Sequence, residues 1–285
     1  MKKLISLALV VLMLGGMLVM PASAEDEIAV LLRGKLLEFD VPPQIMNGRT
    51  LVPMRTIFEE LGATVDWNGD TKTVTSVRED KTIILTIDSY TMYVNDEAVT
   101  LDVAPCLING RTMVPARAVS ESFNLKVDWD NMWRAVLITD SINAENNKYD
   151  AVKELIIKYG EYDATQNRYL MFGCLGYGIY YCDNDVINMC YYEDGEDYKY
   201  EIGILLYKER VPVVYMEYVF SDGSENVMIG EYNEKGSPFE VLETNIEEEL
   251  YNDAIDLTNE VVKNYLNFSL KAISGIPLAD FGVTY

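Results

Sequence analysis

The stretch Asn47-Gly48-Arg49-Thr50-Leu51-Val52-Pro53-Met54-Arg55 returns 62 residues later as Asn109-Gly110-Arg111-Thr112-Met113-Val114-Pro115-Ala116-Arg117. The same offset pairs Phe39-Asp40-Val41-Pro42-Pro43 with Leu101-Asp102-Val103-Ala104-Pro105, Glu59 with Glu121, Val65-Asp66-Trp67 with Val127-Asp128-Trp129, and Val74 with Val136. The duplication therefore covers whole units, about residues 28–78 and 90–140. Such a period is too long for a solenoid repeat, so two copies imply either paired small domains or one pseudo-symmetric domain.

Each copy has a local physical logic. Alternation in Ile28 to Leu32, the turn at Arg33-Gly34, and Leu36 to Phe39 predict two short strands, with Asn95-Asp96 taking the turn's place in the second copy. Asn47-Gly48 and Asn109-Gly110 supply residues that tolerate positive φ. After a brief extended segment, Pro53 and Pro115 stand where a proline starts a helix without losing a needed hydrogen bond. Met54, Ile57, Phe58 and Leu61 then form one apolar stripe, and Gly62 ends the helix. The second copy places Ala116, Val119, Ser120 and Phe123 on that face with Asn124 at the stop, which predicts looser packing. Thr64 to Trp67, the turn Asn68-Gly69-Asp70 and Thr71 to Val77 complete a hairpin.

Two features invite a functional reading beside a structural one. Arg55 and Glu59, like Arg117 and Glu121, stand one helical turn apart, which predicts surface ion pairs; the alternative is an anion or glycan contact. Trp67 and Trp129 sit in alternating strands, which predicts a partly buried or sheet-edge role; the alternative is stacking on sugar.

The pattern N-G-R-T-x-V-P-x-R, followed by a helix carrying I-x-E, by L-G-A and by V-x-W, resembles the copper amine oxidase N-terminal-like domain over residues 28–140. The resemblance implies a small sheet with one helix per copy. It also implies use as a stalk or attachment module, in tandem, in secreted and cell-surface proteins of Gram-positive bacteria. It implies no copper chemistry, because the oxidase's catalytic domain has no counterpart and a chain with no histidine cannot build its copper site. Asn124-Leu125 in place of Gly62-Ala63 departs from the pattern at the second helix terminus.

Lys2-Lys3, an apolar run from Leu4 to Met20 and the small residues Pro21-Ala22-Ser23-Ala24 predict a secretory signal peptide over residues 1–24. Cleavage after Ala24 would leave an exported protein, with no transmembrane helix expected after it; a retained anchor is the alternative. A formal net charge of −23 disfavours nucleic acid as a partner. The absence of histidine removes the commonest general base and the commonest zinc and copper ligand.

A polar joint from Ser141 to Asn147 opens a different composition: 18 of the 20 tyrosines lie from Tyr149 onward, and residues 141–285 carry 27 acidic against 10 basic residues. A helix beginning near Ala151 should be followed by strands over 169–182, 198–207, 211–220 and 226–232. A last helix to about Leu270 should be introduced by a capping box with Thr244 as N-cap. The fold class is α+β: two repeated sheet-plus-helix units over 25–140, then over 141–285 a Tyr-rich acidic domain in which helices cover an antiparallel meander. That domain carries no comparable family motif.

Asp183, Asp185, Glu193, Asp194, Glu196 and Asp197 could in principle supply a carboxylate pair or Ca²⁺ ligands, but their spacing matches no motif and solvated turns explain them more simply. Cys174, Cys182 and Cys190 lack a histidine partner for nucleophilic chemistry, and Cys182 with Cys190 is the candidate disulfide. The tyrosines are expected to form a sheet face, or else a platform for sugar or peptide. No residue is assigned a catalytic, cofactor-binding or metal-ligating role, and no cofactor is implied. The expectation is a secreted, non-enzymatic envelope or extracellular attachment protein whose partner is a cell-wall or extracellular polysaccharide or another secreted protein. The alternatives are a secreted hydrolase using C-terminal carboxylates and a regulatory partner that binds through acidic edge strands.

Overall fold

The computed structural model describes residues 27–141, 148–172, 177–182, 186–194, 198–232 and 239–283. Two units divide after Ser141.

In the first unit the chain runs β1 (Ala29–Leu32), β2 (Lys35–Leu36), β3 (Gln44–Met46), β4 (Arg49–Pro53), α1 (Met54–Glu60), β5 (Thr64–Asn68) and β6 (Thr73–Arg78). After β7 (Lys81–Thr86) the series repeats as β8 (Thr91–Val94), β9 (Glu97–Thr100), β10 (Cys106–Ile108), β11 (Arg111–Pro115), α2 (Ala116–Ser122), β12 (Leu125–Asp130) and β13 (Ala135–Asp140). Local chemistry sets these boundaries as expected. Asn47-Gly48 and Asn109-Gly110 all take positive φ, the signature of a tight hairpin turn. Pro53 and Pro115 end their strands in extended backbone and launch the helices. Gly62 past the first helix has φ +78°, and Asn124 past the second has φ +61°. The departure at Asn124 thus keeps the left-handed stop. Lys81 on β7 supports that terminus by donating to the Ser122 carbonyl and Asn124 Oδ1 at 2.7 and 2.9 Å.

The pairing between strands joins the two copies into one body. β4 pairs antiparallel with β11, Leu51 opposite Pro115, Val52 opposite Val114 and Pro53 opposite Met113. Because Val114 is the counterpart of Val52, this register places a pseudo-two-fold axis between the two valines. β1 of the first copy runs parallel to β13 of the second, giving the sheet β12-β13-β1-β2. Symmetrically, β5-β6 joins β8-β9 through the inserted β7. One core therefore draws on both copies: Val52, Ile57 and Phe58 pack with Val114, Val119 and Phe123. The expected looseness of the second helix is offset by Phe123, which meets Phe58 edge-on at 5.3 Å. A second, smaller core of Val41, Leu51, Val103 and Met113 lies apart from it.

The second unit is an eight-stranded antiparallel sheet in which every strand neighbours the next in sequence. After α3 (Lys148–Tyr159) come β14 (Glu161–Asp163), β15 (Arg168–Phe172), β16 (Tyr177–Cys182), β17 (Val186–Asp194), β18 (Tyr198–Tyr207), β19 (Val213–Phe220), β20 (Glu225–Glu231) and β21 (Glu240–Thr244). A near-continuous helical stretch follows: α4 (Glu248–Glu260), a π-helical segment Val261–Leu266 and α5 (Asn267–Ser274), then a 3₁₀ turn at Leu278–Phe281. Leu250, Ala254, Leu257, Val261 and Tyr265 are all buried, as their spacing predicts. The wider π turn contacts β17 and β18 and brings the Tyr265 ring within 5.6 Å of Tyr191.

Three expectations for this unit change. The stretch 169–182 is two strands, β15 and β16, rather than one. No capping box forms at Thr244: this residue ends β21, its Oγ1 accepts a hydrogen bond from the Ile246 N–H at 3.0 Å, and the helix starts at Glu248. A Cys182–Cys190 disulfide is excluded by register. Cys182 faces Val186 and Cys190 faces Gly178, four positions along the ladder. That separates them by more than ~13 Å, against the ~7 Å a disulfide tolerates. Cys174 lies outside the described residues.

Candidate functional site

The first arginine of each copy of the motif faces an aspartate of the other copy. Arg49 Nε donates to Asp102 Oδ2 at 2.7 Å, and Arg111 Nε donates to Asp40 Oδ2 at 2.7 Å. The two pairs are related by the pseudo-two-fold, since Asp102 and Arg111 are the counterparts of Asp40 and Arg49. The Arg111 hydrogen bond holds the Asp40 carboxyl below the usual carboxylate range and raises the Arg111 guanidinium in turn. The second arginines behave as their spacing predicts: Arg55 Nη1 reaches Glu59 at 3.2 Å, and Arg117 Nε lies 3.9 Å from Glu121. Arg55 also donates to the Val65 carbonyl at 3.3 Å, fastening the helix to its hairpin.

These residues flank two grooves that repeat about the same axis. One, of about 310 Å³, has on one side Ile45, Gly48, Arg49 and Thr50 from the first copy. On its other side are Pro115, Arg117, Val127 and Trp129 from the second. Its counterpart, of about 640 Å³, sets Leu107, Gly110, Arg111 and Thr112 against Pro53, Arg55, Val65 and Trp67. Position for position, the same residue types recur with the copies exchanged. Both volumes fall in the ~300–1,000 Å³ range typical of small-ligand sites. The second groove is larger and also takes in Glu38, Asp40 and Glu59.

The tryptophans are the aromatic members. Trp67 keeps 38% of its surface exposed. Trp129 packs partly against the main core, and its indole N–H donates to Asn131 Oδ1 at 2.8 Å. Each lines its groove together with two arginines, Trp67 with Arg55 and Arg111 and Trp129 with Arg49 and Arg117.

Sequence reasoning found the Trp residues and the helix-borne Arg–Glu pairs but not the Arg49–Asp102 and Arg111–Asp40 pairs. The available signal was the joint duplication of an aspartate and an arginine nine residues on. Nothing local says that each arginine meets the other copy's aspartate.

In the second unit Tyr200 of β18 and Tyr218 of β19 belong to the core, whereas Tyr192 of β17 is exposed. Tyr191, Tyr200 and Tyr218 follow one another at 5.7 and 6.0 Å, and Tyr218 meets Phe220 at 4.7 Å. Tyr200 and Tyr218 are buried, on the face where Thr258 of α4 reaches Met216 at 3.8 Å. On the other face the Tyr215 ring lies over Gly203, which has no Cβ to obstruct it. Tyr215 hydroxyl bonds Asn188 and Glu201, and burial pushes its ionisation up, so it acts as a neutral donor. The acidic candidates Asp183, Asp185, Glu196 and Asp197, and the side chains of Glu193 and Asp194, lie outside the described residues.

Residues 31–138 match the family model described as copper amine oxidase N-terminal domain, a span that takes in both copies of the motif. No curated protein matches the chain. The copper of that description finds no fit here, because the chain has no histidine. Among the described residues no three Cys, Asp or Glu side chains converge to hold a metal. The match is compatible with a non-catalytic module.

Proposed function

We propose that the protein is an extracellular, non-enzymatic attachment protein whose N-terminal unit holds a glycan of the cell envelope through its twin grooves and presents the C-terminal sheet unit. The reading rests on one observation above all: the same Gly-Arg-Thr turn, Pro-x-Arg helix start and Trp hairpin converge twice, across copies, in grooves of ligand size. An indole face beside planar hydrogen-bonding side chains suits a sugar ring, whose C–H face is apolar and whose rim is polar. Two equivalent grooves on one body allow a repeating polymer to engage both, so avidity can exceed the affinity of either groove. The charged start, apolar run and Ala22-Ser23-Ala24 segment support export. Co-sedimentation of the protein with purified cell wall tests the proposal. The protein should pellet with the wall, and Trp67→Ala combined with Trp129→Ala should leave it in the supernatant while its thermal melt stays cooperative. Equal retention of the double variant would place attachment elsewhere.

A further inference from the structure

We infer that the twin grooves select neutral, hydroxyl-rich glycans and discriminate against polyanionic ones. This inference rests on the glycan reading above and adds the class of ligand.

The argument is one of charge pairing. Four arginines flank the two grooves, and each already faces a carboxylate: Arg49 with Asp102, Arg111 with Asp40, Arg55 with Glu59 and Arg117 with Glu121. All four keep about half of their side-chain surface in solvent, so their remaining N–H groups stay available to a ligand. The carboxylates bring acceptors of their own. Asp128 in one groove and Glu38 in the other add a negative charge beyond these pairs. The grooves thus offer fixed donors and acceptors without a positive field, on a chain whose formal net charge is −23. A polyanion arriving there would lose its hydration without meeting uncompensated positive charge, the paired carboxylates would repel it at close range, and long-range repulsion would oppose its approach. A sugar hydroxyl is both donor and acceptor and can bond to either member of an ion pair without breaking it. Pairing also holds the long arginine side chains in place before a ligand arrives, which lowers the ordering cost of binding.

Isothermal titration of the full-length protein with cellohexaose, chitohexaose and hexagalacturonate, at about 50 and 500 mM NaCl, tests this. At least one neutral hexaose should bind, with a Kd that changes less than about threefold between the two salts, and hexagalacturonate should bind at least tenfold more weakly. Replacing Asp40→Asn and Asp102→Asn together leaves Arg49 and Arg111 uncompensated and should strengthen hexagalacturonate binding at low salt by roughly tenfold. Tight, steeply salt-dependent binding of hexagalacturonate by the parent protein would overturn the inference and leave the glycan reading standing. So would a double variant that gains nothing. Binding of no hexaose, together with no retention on purified wall, would overturn the glycan reading itself.

Discussion

In the C-terminal unit each strand lies beside its neighbour in sequence, whereas in the N-terminal unit β1 lies beside β13 and β4 beside β11. The meander can gain its ladder one hairpin at a time. The interlocked unit must first bring together residues about a hundred positions apart, with Ala29 opposite Ala135. Loop-closure entropy is spent there before the pairing repays it. The difference shows how a duplication can build one domain rather than two: each copy lacks the partner its own strands need, and only the other copy supplies it. The ion pairs follow the same rule, since Arg49 and Arg111 meet aspartates of the opposite copy.

The largest expected effect breaks that interlock. A fragment of residues 27–90 retains β4 without β11 and β1 without β13, and it should show no cooperative thermal transition by circular dichroism. A sharp transition would mean that one copy folds alone and that the interlock is incidental. Next in size is the shared core. Phe58→Ala should destabilise the N-terminal unit by about 3–5 kcal/mol in urea unfolding. A double-mutant cycle with Phe123→Ala should return a coupling of about 0.5–1.5 kcal/mol, because the two rings meet edge-on across the copies.

A counterpart in the meander is Gly203→Ala, whose new methyl would run into the Tyr215 ring. It should cost about 1–3 kcal/mol and leave the N-terminal transition unmoved, which checks that the two units melt separately. The smallest effect concerns the exposed ion pair. Asp40 is held below its usual range in the folded state, so the unfolded chain takes up that proton first as pH falls. The stabilisation is complete above the ordinary aspartate range, about pH 4, and is lost as pH drops through the lowered folded value. Melting temperatures of the parent and Asp40→Asn should differ slightly and constantly at neutral pH, and converge in acid; a gap that widened in acid would reverse the assignment.

Much of the N-terminal unit was legible because its signals are local. Asn47-Gly48 requires a positive-φ turn, Pro53 can only begin the helix, and Arg55 and Glu59 meet because they lie one turn apart. The meander was read less well. The apolar pattern of β17 is interrupted by polar Asn188, whose Oδ1 accepts a hydrogen bond from the Tyr215 hydroxyl at 3.2 Å, a contact that only the sheet register supplies. The capping box at Thr244 failed because β20 claims that residue as a strand partner, with Thr244 opposite Met228. Ladder hydrogen bonds there outweighed a local capping preference.

By itself, then, the sequence determined the duplication, the turn and helix boundaries and the pairing of each helix-borne arginine, all set by residues within a few positions of one another. Only the tertiary structure decided that the copies exchange strands about an axis between Val52 and Val114. It alone decided that Arg49 finds Asp102 rather than its own copy's Asp40, and that turn, helix start and tryptophan meet in grooves. The physical reason is that the copies share the motif residues and hence their local preferences, so sequence cannot tell pairing within a copy from pairing between copies. The shared core resolves the choice, because the arrangement that buries Phe58 against Phe123 also carries each motif across to the other copy.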